Sequence, residues 1–185
     1  MLGGSANGGT PPGPGGRAVF ALSPAGVAEG LIEGLALRHA GAFRRDPWWW
    51  ALALVGCVAA IVPWTLPGMD PNRSSLIGLD QWLGAVLVQP LLEEWLFRGA
   101  LQGALRRRPA QRRPFHGLTA ANLLTSAAFV ALHGLHHPPA WALATFLPSL
   151  ALGWLRDRHD SVWPGVFLHM AFNLEFFAGA ALWIR

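Results

Sequence analysis

Five long apolar runs follow one another along the chain, separated by short stretches that contain Pro, Gly or Arg. They cover residues 47–67, 77–105, 117–136, 139–155 and 161–184. Each run is close to the roughly 17–25 residues that an α-helix needs to cross a bilayer. Tryptophans lie near the ends of several runs, where an indole ring favours the membrane interface. The pattern therefore predicts an all-α fold, a multi-pass transmembrane helical bundle with five spans.

The first 46 residues follow a different pattern. Residues 1–17 are rich in Gly and Pro, so we expect a flexible tail. Residues 18–46 are largely apolar but are interrupted by Glu29 and Glu33, which favours an amphipathic or re-entrant helix over a clean span. If this segment does cross the bilayer, the number of spans rises to six. The remaining residues, 47–185, form the predicted membrane domain.

The composition supports a membrane protein. Hydrophobic residues make up 52% of the chain and charged residues 13%, about half of the roughly 25% that is usual in soluble domains. The formal net charge of +4 would by itself permit a nucleic-acid partner. Most arginines, however, cluster between the runs on one predicted side: Arg44, Arg45, Arg106, Arg107, Arg108, Arg112, Arg113, Arg156 and Arg158. Because basic residues favour the cytoplasmic side of a membrane, we interpret them as a topology signal at the lipid bilayer and expect no nucleic-acid partner.

The second run carries three charged residues, Glu93, Glu94 and Arg98, within an apolar segment. A charged side chain at mid-span costs about 2.5–3.5 kcal/mol on the insertion scale, so three unpaired charges would outweigh the apolar residues around them. Glu94 and Arg98 are four residues apart on one helical face, which is the spacing of an ion pair. Glu93 then lies about 100° around the helix. Ionisable residues inside a span are candidates for function, and an ion pair that only holds helices together is the structural alternative.

Two later runs each carry a pair of residues at the same four-residue spacing. Phe129 and His133 share a face of the third run, and His169 and Asn173 share a face of the fifth. Together the three runs offer two carboxylates, two His, an Arg and an Asn. This set suits water activation by Glu or His and oxyanion stabilisation by His and Asn.

Three reactive side chains outside these pairs receive structural interpretations. Cys57 is the single cysteine, which excludes an internal disulfide, and we interpret it as a small apolar packing residue. His136 and His137 stand beside Pro138 at the end of the third run, a position typical of solvated loop histidines.

Taken in order, the three motifs resemble those of the CPBP family of intramembrane proteases, which includes the type II CAAX prenyl endopeptidases. The motif E-E-x-x-x-R matches residues 93–98, F-x-x-x-H matches 129–133 and H-x-x-x-N matches 169–173, and the resemblance covers residues 85–177. It implies a glutamate-dependent intramembrane endopeptidase without a cofactor, located in a cell membrane that we expect to be the bacterial inner membrane. The implied partner is a membrane-associated protein or peptide substrate, cleaved near its C-terminus or close to the membrane.

The resemblance also implies a role for each motif residue. Glu93 and His133 would activate the attacking water, while His169 and Asn173 would form the oxyanion-binding pair. The supporting residues, expected to hold Glu93 in place and to pack beside the site, are Glu94, Arg98 and Phe129.

Three other functions stay open at this point. A zinc-dependent intramembrane metalloprotease could use Glu93, His133 and His169 as ligands, with water in the fourth position. A non-enzymatic immunity or scaffold protein would use the polar residues only to hold helices together. A proton-coupled transporter could use Glu and His as a proton relay, although no inverted repeat is evident. A scaffold would not need a second polar pair on the fifth run, so we favour proteolysis.

Overall fold

The computed structural model describes residues 24–25, 42–59 and 78–183. The tail predicted for residues 1–17, and most of the amphipathic or re-entrant helix predicted for residues 18–46, lie outside the described residues. A short 3-10 helix, Ala42–Arg45, precedes helix α1, Pro47–Ala59. The described chain after residue 78 contains the three sequence motifs and is almost entirely helical.

The second apolar run forms one uninterrupted helical rod, residues 79–106, which we call the composite helix. It consists of five consecutive segments: α2 Leu79–Leu83, a π-helix Gly84–Val88, α3 Gln89–Glu94, a second π-helix Trp95–Gln102, and α4 Gly103–Arg106. π-Helical turns are rare and often occur at functional sites. Here the two wider segments flank α3, which ends on the paired glutamates Glu93 and Glu94.

A short helix and a small hairpin connect the composite helix to the third run. Their bounds are α5 Pro109–Arg112, β1 Pro114–Phe115 and β2 Leu118–Thr119, and the strands pair antiparallel in the register Pro114↔Thr119 and Phe115↔Leu118. The turn residues His116 and Gly117 have φ angles of 50° and 84°, because a tight hairpin turn that matches the strand twist needs positive φ at both central positions. Apart from these two short strands, the regular structure in the described ranges is helical, as predicted.

The third and fifth runs form long helices, and the fourth forms two. Helix α6, Ala120–His133, begins at Thr119, whose hydroxyl oxygen accepts the backbone N–H of Asn122 at 3.0 Å. The fourth run, predicted as a single span over residues 139–155, consists of α7 Pro139–Ala144 and α8 Phe146–His159, and the fifth run forms α9 Trp163–Trp183. Pro148 explains the break, since it has no N–H for the carbonyl of Ala144 and its ring would collide with that carbonyl in a continuous helix.

An apolar cluster joins α1, α8 and α9. Its buried members are Phe43, Trp49, Leu152, Leu155 and Leu168. The indole N–H of Trp49 also donates to the carbonyl of Pro164, just inside α9, at 3.0 Å. On the other side of α8, Gly153 lets α6 approach closely, because a Cβ at this position would collide with the side-chain amide of Asn122.

The described helices differ from the full-length spans that the sequence predicts. Within the residues that the structure describes, no helix is both long enough and apolar enough to cross a bilayer. Helices α6 and α8 have 14 residues each, which is about 20 Å at roughly 1.5 Å per residue. The predominantly helical fold is confirmed in the described ranges.

Asp46 links the start of α1 to the end of α8. Its Oδ1 accepts the backbone N–H of Trp48 at 3.1 Å, as an N-cap residue does. Its Oδ2 lies 2.6 Å from Arg158 Nε and 3.0 Å from His159 Nε2. The hydrogen bond from Arg158 holds the pKa of the Asp46 carboxyl below its usual value. Because the Asp46 side chain is only 6% exposed, these charge-assisted contacts connect the two helices firmly.

We predict that Asp46→Ala lowers the free energy of unfolding by about 0.5–2 kcal/mol, because it removes the cap together with the link to α8. Asp46→Asn keeps the cap and should cost less. A carboxyl whose folded-state pKa is depressed stabilises the fold above its unfolded-state pKa, and this contribution is lost as the pH falls through the folded-state value. The melting temperature of the wild type should therefore fall more steeply than that of Asp46→Asn between about pH 6 and about pH 3. Parallel slopes for the two proteins would contradict the prediction.

Candidate active site

Glu94 lies at the centre of the candidate site and is completely buried. Its Oε1 is 3.3 Å from Arg98 NH1 and 3.0 Å from Nδ1 of His169 on α9. The ion pair expected from the four-residue spacing is therefore present, and a histidine from another helix joins it. Gly165, one turn before His169, provides the room, since a Cβ on Gly165 would lie 2.9 Å from Glu94 Oε2.

Arg98 is also buried, and its contacts reach two further helices. Its NH2 donates to the backbone carbonyl of Ser149 on α8 at 2.9 Å and to the Ser149 hydroxyl at 2.8 Å. Its guanidinium carbon lies 5.0 Å from the ring centroid of Phe129 on α6, within the range of a cation–π contact. A buried arginine needs such partners because an unpaired guanidinium in an apolar interior is strongly destabilising.

The two glutamates approach opposite nitrogens of the His169 ring. A carboxylate can only accept, so the proton of the 3.0 Å contact with Glu94 belongs to His169 Nδ1. The other nitrogen, Nε2, then faces Glu93 Oε2 at 3.7 Å, which is longer than a direct hydrogen bond. Glu93 Oε1 accepts from the side-chain amide of Gln89 at 3.2 Å. Glu94 therefore sets the tautomer and orientation of His169, and Glu93 is the more accessible carboxylate of the pair.

This arrangement differs from the one that the resemblance implies. There, Glu94 and Arg98 hold Glu93 in place, whereas here Glu94 makes its direct contact with His169 and Glu93 is held by Gln89. The reason is rotation around the composite helix: neighbouring residues point about 100° apart, so only one of the two carboxylates can enter the helix interface where Arg98 lies.

His133, the last residue of α6, joins the site through an aromatic contact. Its Nδ1–H donates to the backbone carbonyl of Phe129 at 2.9 Å, which leaves Nε2 as the acceptor of the neutral ring. The Phe129 ring lies 4.2 Å from the His133 ring and 6.2 Å from the His169 ring between centroids. Phe129 thus packs beside both histidines, and the structure brings His169, rather than His133, directly against the glutamates.

Asn173 lies one turn beyond His169 on α9 and ties this helix to the composite helix. Its Nδ2 donates to the carbonyl of Ala85 at 2.8 Å. Ala85 belongs to the first π-helix, a geometry that departs from the usual i to i+4 bonding and leaves carbonyls available for such contacts. One amide N–H of Asn173 is therefore engaged with the backbone in this structure.

Two stripes of polar residues continue the site toward one end of the bundle, and most of their members lie outside the three sequence motifs. We call them the polar seam: Glu94, Arg98, Gln102 and Arg106 on the composite helix, and Ser149, Gly153 and Asp157 on α8. Gln102 Nε2 donates to the Gly153 carbonyl at 2.9 Å and to Asp157 Oδ1 at 3.0 Å. Arg106 Nε lies 3.0 Å from the same Asp157 oxygen. The regular four-residue spacing on both helices is a signal that the sequence contains.

One predicted interpretation outside the motifs needs correction. Cys57 is exposed rather than packed, and its thiol lies 3.0 Å from Glu175 Oε1 on α9. His136 and His137 are exposed in the loop, as predicted, and the His137 ring in addition stacks on Trp141 with centroids 4.5 Å apart.

The ligand set of the zinc alternative is not assembled. In the part of the chain that the structure describes, no three His, Cys, Asp or Glu side chains are grouped closely enough to hold a metal ion. The expected ligands Glu93 and His169 lie near each other, but His133 contacts Phe129 rather than this pair.

Comparison with known families gives a match over the motif region. Residues 74–174 match the family model described as type II CAAX prenyl endopeptidase Rce1-like. The matched region covers more than half of the 185 residues and includes all three motifs. Comparisons with curated proteins and with solved structures found no match. The family resemblance inferred from the motifs is thereby confirmed.

We predict that Gly165→Ala destabilises the protein by about 1–3 kcal/mol, as overpacking of a closely fitted interior does. The added methyl group must displace the Glu94 carboxylate, which Arg98 and His169 hold in place. Gly84→Ala is the matched control, because no atom lies within 4 Å of its Cβ, and helical Ala is favoured over Gly by roughly 0.5–1 kcal/mol. Thermal unfolding in detergent should separate the two variants, and equal stability would argue against the close contact with Glu94.

We predict that Arg98→Met destabilises the protein by about 3–5 kcal/mol, because Glu94 is left as an uncompensated buried charge. Adding Glu94→Gln to this variant should recover part of the loss, since the charge is then absent. The exposed Arg112 on α5 supplies the control Arg112→Met, which should have little effect. If the double variant is no more stable than Arg98→Met alone, the charge argument is wrong.

Proposed function

This chain belongs to the type II CAAX prenyl endopeptidase Rce1-like family, and from that membership we propose that it is an intramembrane endopeptidase. Its substrate is a membrane-associated protein or peptide, which it cleaves near the C-terminus or close to the membrane. The observation that carries the proposal is the placement of His169 between the two glutamates, with Nδ1 bonded to Glu94 and Nε2 facing Glu93 at 3.7 Å. A structural ion pair would account for the contact with Glu94, but not for a second, more accessible carboxylate that faces the other ring nitrogen.

Glu93 is the proposed general base. It is the accessible member of the pair, and Gln89 holds one of its oxygens. In the proposed reaction Glu93 takes a proton from water while the water oxygen attacks the peptide carbonyl carbon. The carbon–nitrogen bond then breaks, and the departing amine receives the proton from Glu93. His133, whose Nε2 is available when Nδ1 donates to Phe129, shares the orientation of the water.

His169 and Asn173 are the proposed oxyanion-binding pair. With Nδ1 held by Glu94, Nε2 is the ring nitrogen that faces the site, and in its protonated form it donates to the oxygen that becomes negative during attack. Asn173 lies one turn further along α9 and has a second amide N–H besides the one bonded to Ala85. In this scheme Arg98 neutralises Glu94 and so supports His169 indirectly.

The distribution of polarity supports a location in the lipid bilayer. Glu94, Arg98 and Gln102 are buried, whereas large apolar side chains of the same composite helix are exposed: Leu79, Leu83, Leu87, Val88, Leu92 and Leu96. Charges inside and apolar residues outside are typical of a helix that faces lipid. Water would be a poor surrounding for this much contiguous apolar surface.

We predict that Glu93→Gln and His133→Ala each reduce cleavage by at least about 100-fold, the usual scale of a lost general acid–base contribution. Both variants should accumulate in membranes at the wild-type level, because neither residue takes part in the Glu94–Arg98 ion pair. The control Glu175→Gln changes a carboxylate on the same helix as His169 and should remain active.

The test compares cells that lack the gene with cells complemented by the wild type or by a variant, using mass spectrometry of the termini of membrane and secreted proteins. Termini that appear with the wild type and with Glu175→Gln, but not with Glu93→Gln, identify the substrate and support the proposal. A scaffold role predicts instead that Glu93→Gln restores the wild-type pattern, and that result would refute proteolysis.

A further inference from the structure

Three aromatic rings form a nearly parallel stack at the end of α6. The Trp141 ring is inclined by 6° to the His133 ring at a centroid distance of 5.8 Å, and by 17° to the His137 ring at 4.5 Å. The two histidine rings lie 5.8 Å apart at 22°. Offset parallel rings at these distances attract one another. Neither Trp141 nor His137 belongs to the sequence motifs.

The turn between α6 and α7 places these three rings next to one another. The backbone N–H groups of His136 and His137 both donate to the carbonyl of His133, at 3.1 and 2.9 Å, so the turn begins on the histidine itself. Pro138 and Pro139 then restrict the backbone and start α7. Trp141 follows within the first turn of α7, and its ring also meets the Phe176 ring of α9 edge-on at 6.2 Å. Segments from α6, α7 and α9 therefore hold the stack.

Two restraints act on the His133 ring. The N–H group at Nδ1, which lies in the plane of the imidazole ring, donates to the Phe129 carbonyl at 2.9 Å, and the stacked Trp141 opposes rotation out of that plane. Rotation of the ring about its Cβ–Cγ bond would break both contacts. Together they fix the direction in which Nε2 points. Catalytic groups need this kind of fixed geometry, because small misplacements reduce rate steeply.

We infer that Trp141 and His137 are positioning residues, which hold the plane of the His133 imidazole ring so that Nε2 faces the attacking water. The inference rests on the proposed function in that it gives His133 a part in the reaction. Trp141 carries most of the effect because it is nearly parallel to His133 and is itself anchored against α9. His137 acts by packing on Trp141, so an aromatic ring at this position is sufficient.

The test compares ring-keeping with ring-removing variants: Trp141→Phe with Trp141→Ala, and His137→Phe with His137→Ala. His136→Ala is the control, because His136 is exposed and shares the loop but lies outside the stack. The first readout does not need activity. Diethyl pyrocarbonate acylates unprotonated imidazole nitrogen, and mass spectrometry follows its reaction with His133 in detergent-purified protein. Trp141→Ala should raise this rate severalfold, whereas Trp141→Phe, His137→Phe and His136→Ala should match the wild type.

The second readout is the kinetics of cleavage. Trp141→Ala should lower kcat by roughly 10- to 100-fold, as misplacement of a catalytic group does, while KM stays unchanged and Trp141→Phe restores the rate. If Trp141→Ala fails to accumulate, the His137→Ala and His137→Phe pair gives the same comparison. Unchanged His133 reactivity in the ring-removing variants overturns the inference, and so does raised reactivity with an unchanged kcat. A wild type without any cleavage activity refutes the proposed function, and the acylation rates still report whether the stack holds the ring.

Discussion

The buried Glu94–Arg98 pair is the constraint on which the rest of the bundle depends. Removing two charges from water costs several kcal/mol per ion, and this cost is offset only where further partners surround them. Glu94 finds His169 on α9, while Arg98 finds Ser149 on α8 and the Phe129 ring on α6. One ion pair within the composite helix therefore sets the positions of three other helices around it.

The same logic extends along the polar seam. Gln102 and Arg106 repeat the four-residue spacing of Glu94 and Arg98, and they meet Gly153 and Asp157 on α8. Polar groups face one another across this interface, and the outer surface of the composite helix is left to exposed apolar side chains. Small residues assist the close approach, since Gly165 leaves space for Glu94 and Gly153 for Asn122. Packing and electrostatics thus select the same helix faces.

The contacts that stabilise the charges also prepare the chemistry. Because the Glu94 carboxylate can only accept, it places the proton of His169 on Nδ1 and turns Nε2 toward Glu93. Glu94, which neutralises Arg98, therefore also orients His169, the proposed oxyanion donor. The two π-helices flank the glutamates, and the first presents the Ala85 carbonyl that Asn173 binds. At Glu94, Arg98 and His169, structural stability and the proposed catalysis therefore share contacts and cannot be altered independently.

The sequence by itself determined the helical fold, the Glu94–Arg98 pair and the family, because each depends on spacing within one helix or on the order of motifs. The tertiary structure decided which glutamate contacts His169, where Asn173 donates, and that Trp141 stacks on His133. These features depend on the rotation and axial offset of one helix relative to another. The spacing of residues within one run determines which side chains share a helix face. Which faces meet depends on the packing of several helices at once, and the sequence of a single run does not determine that packing.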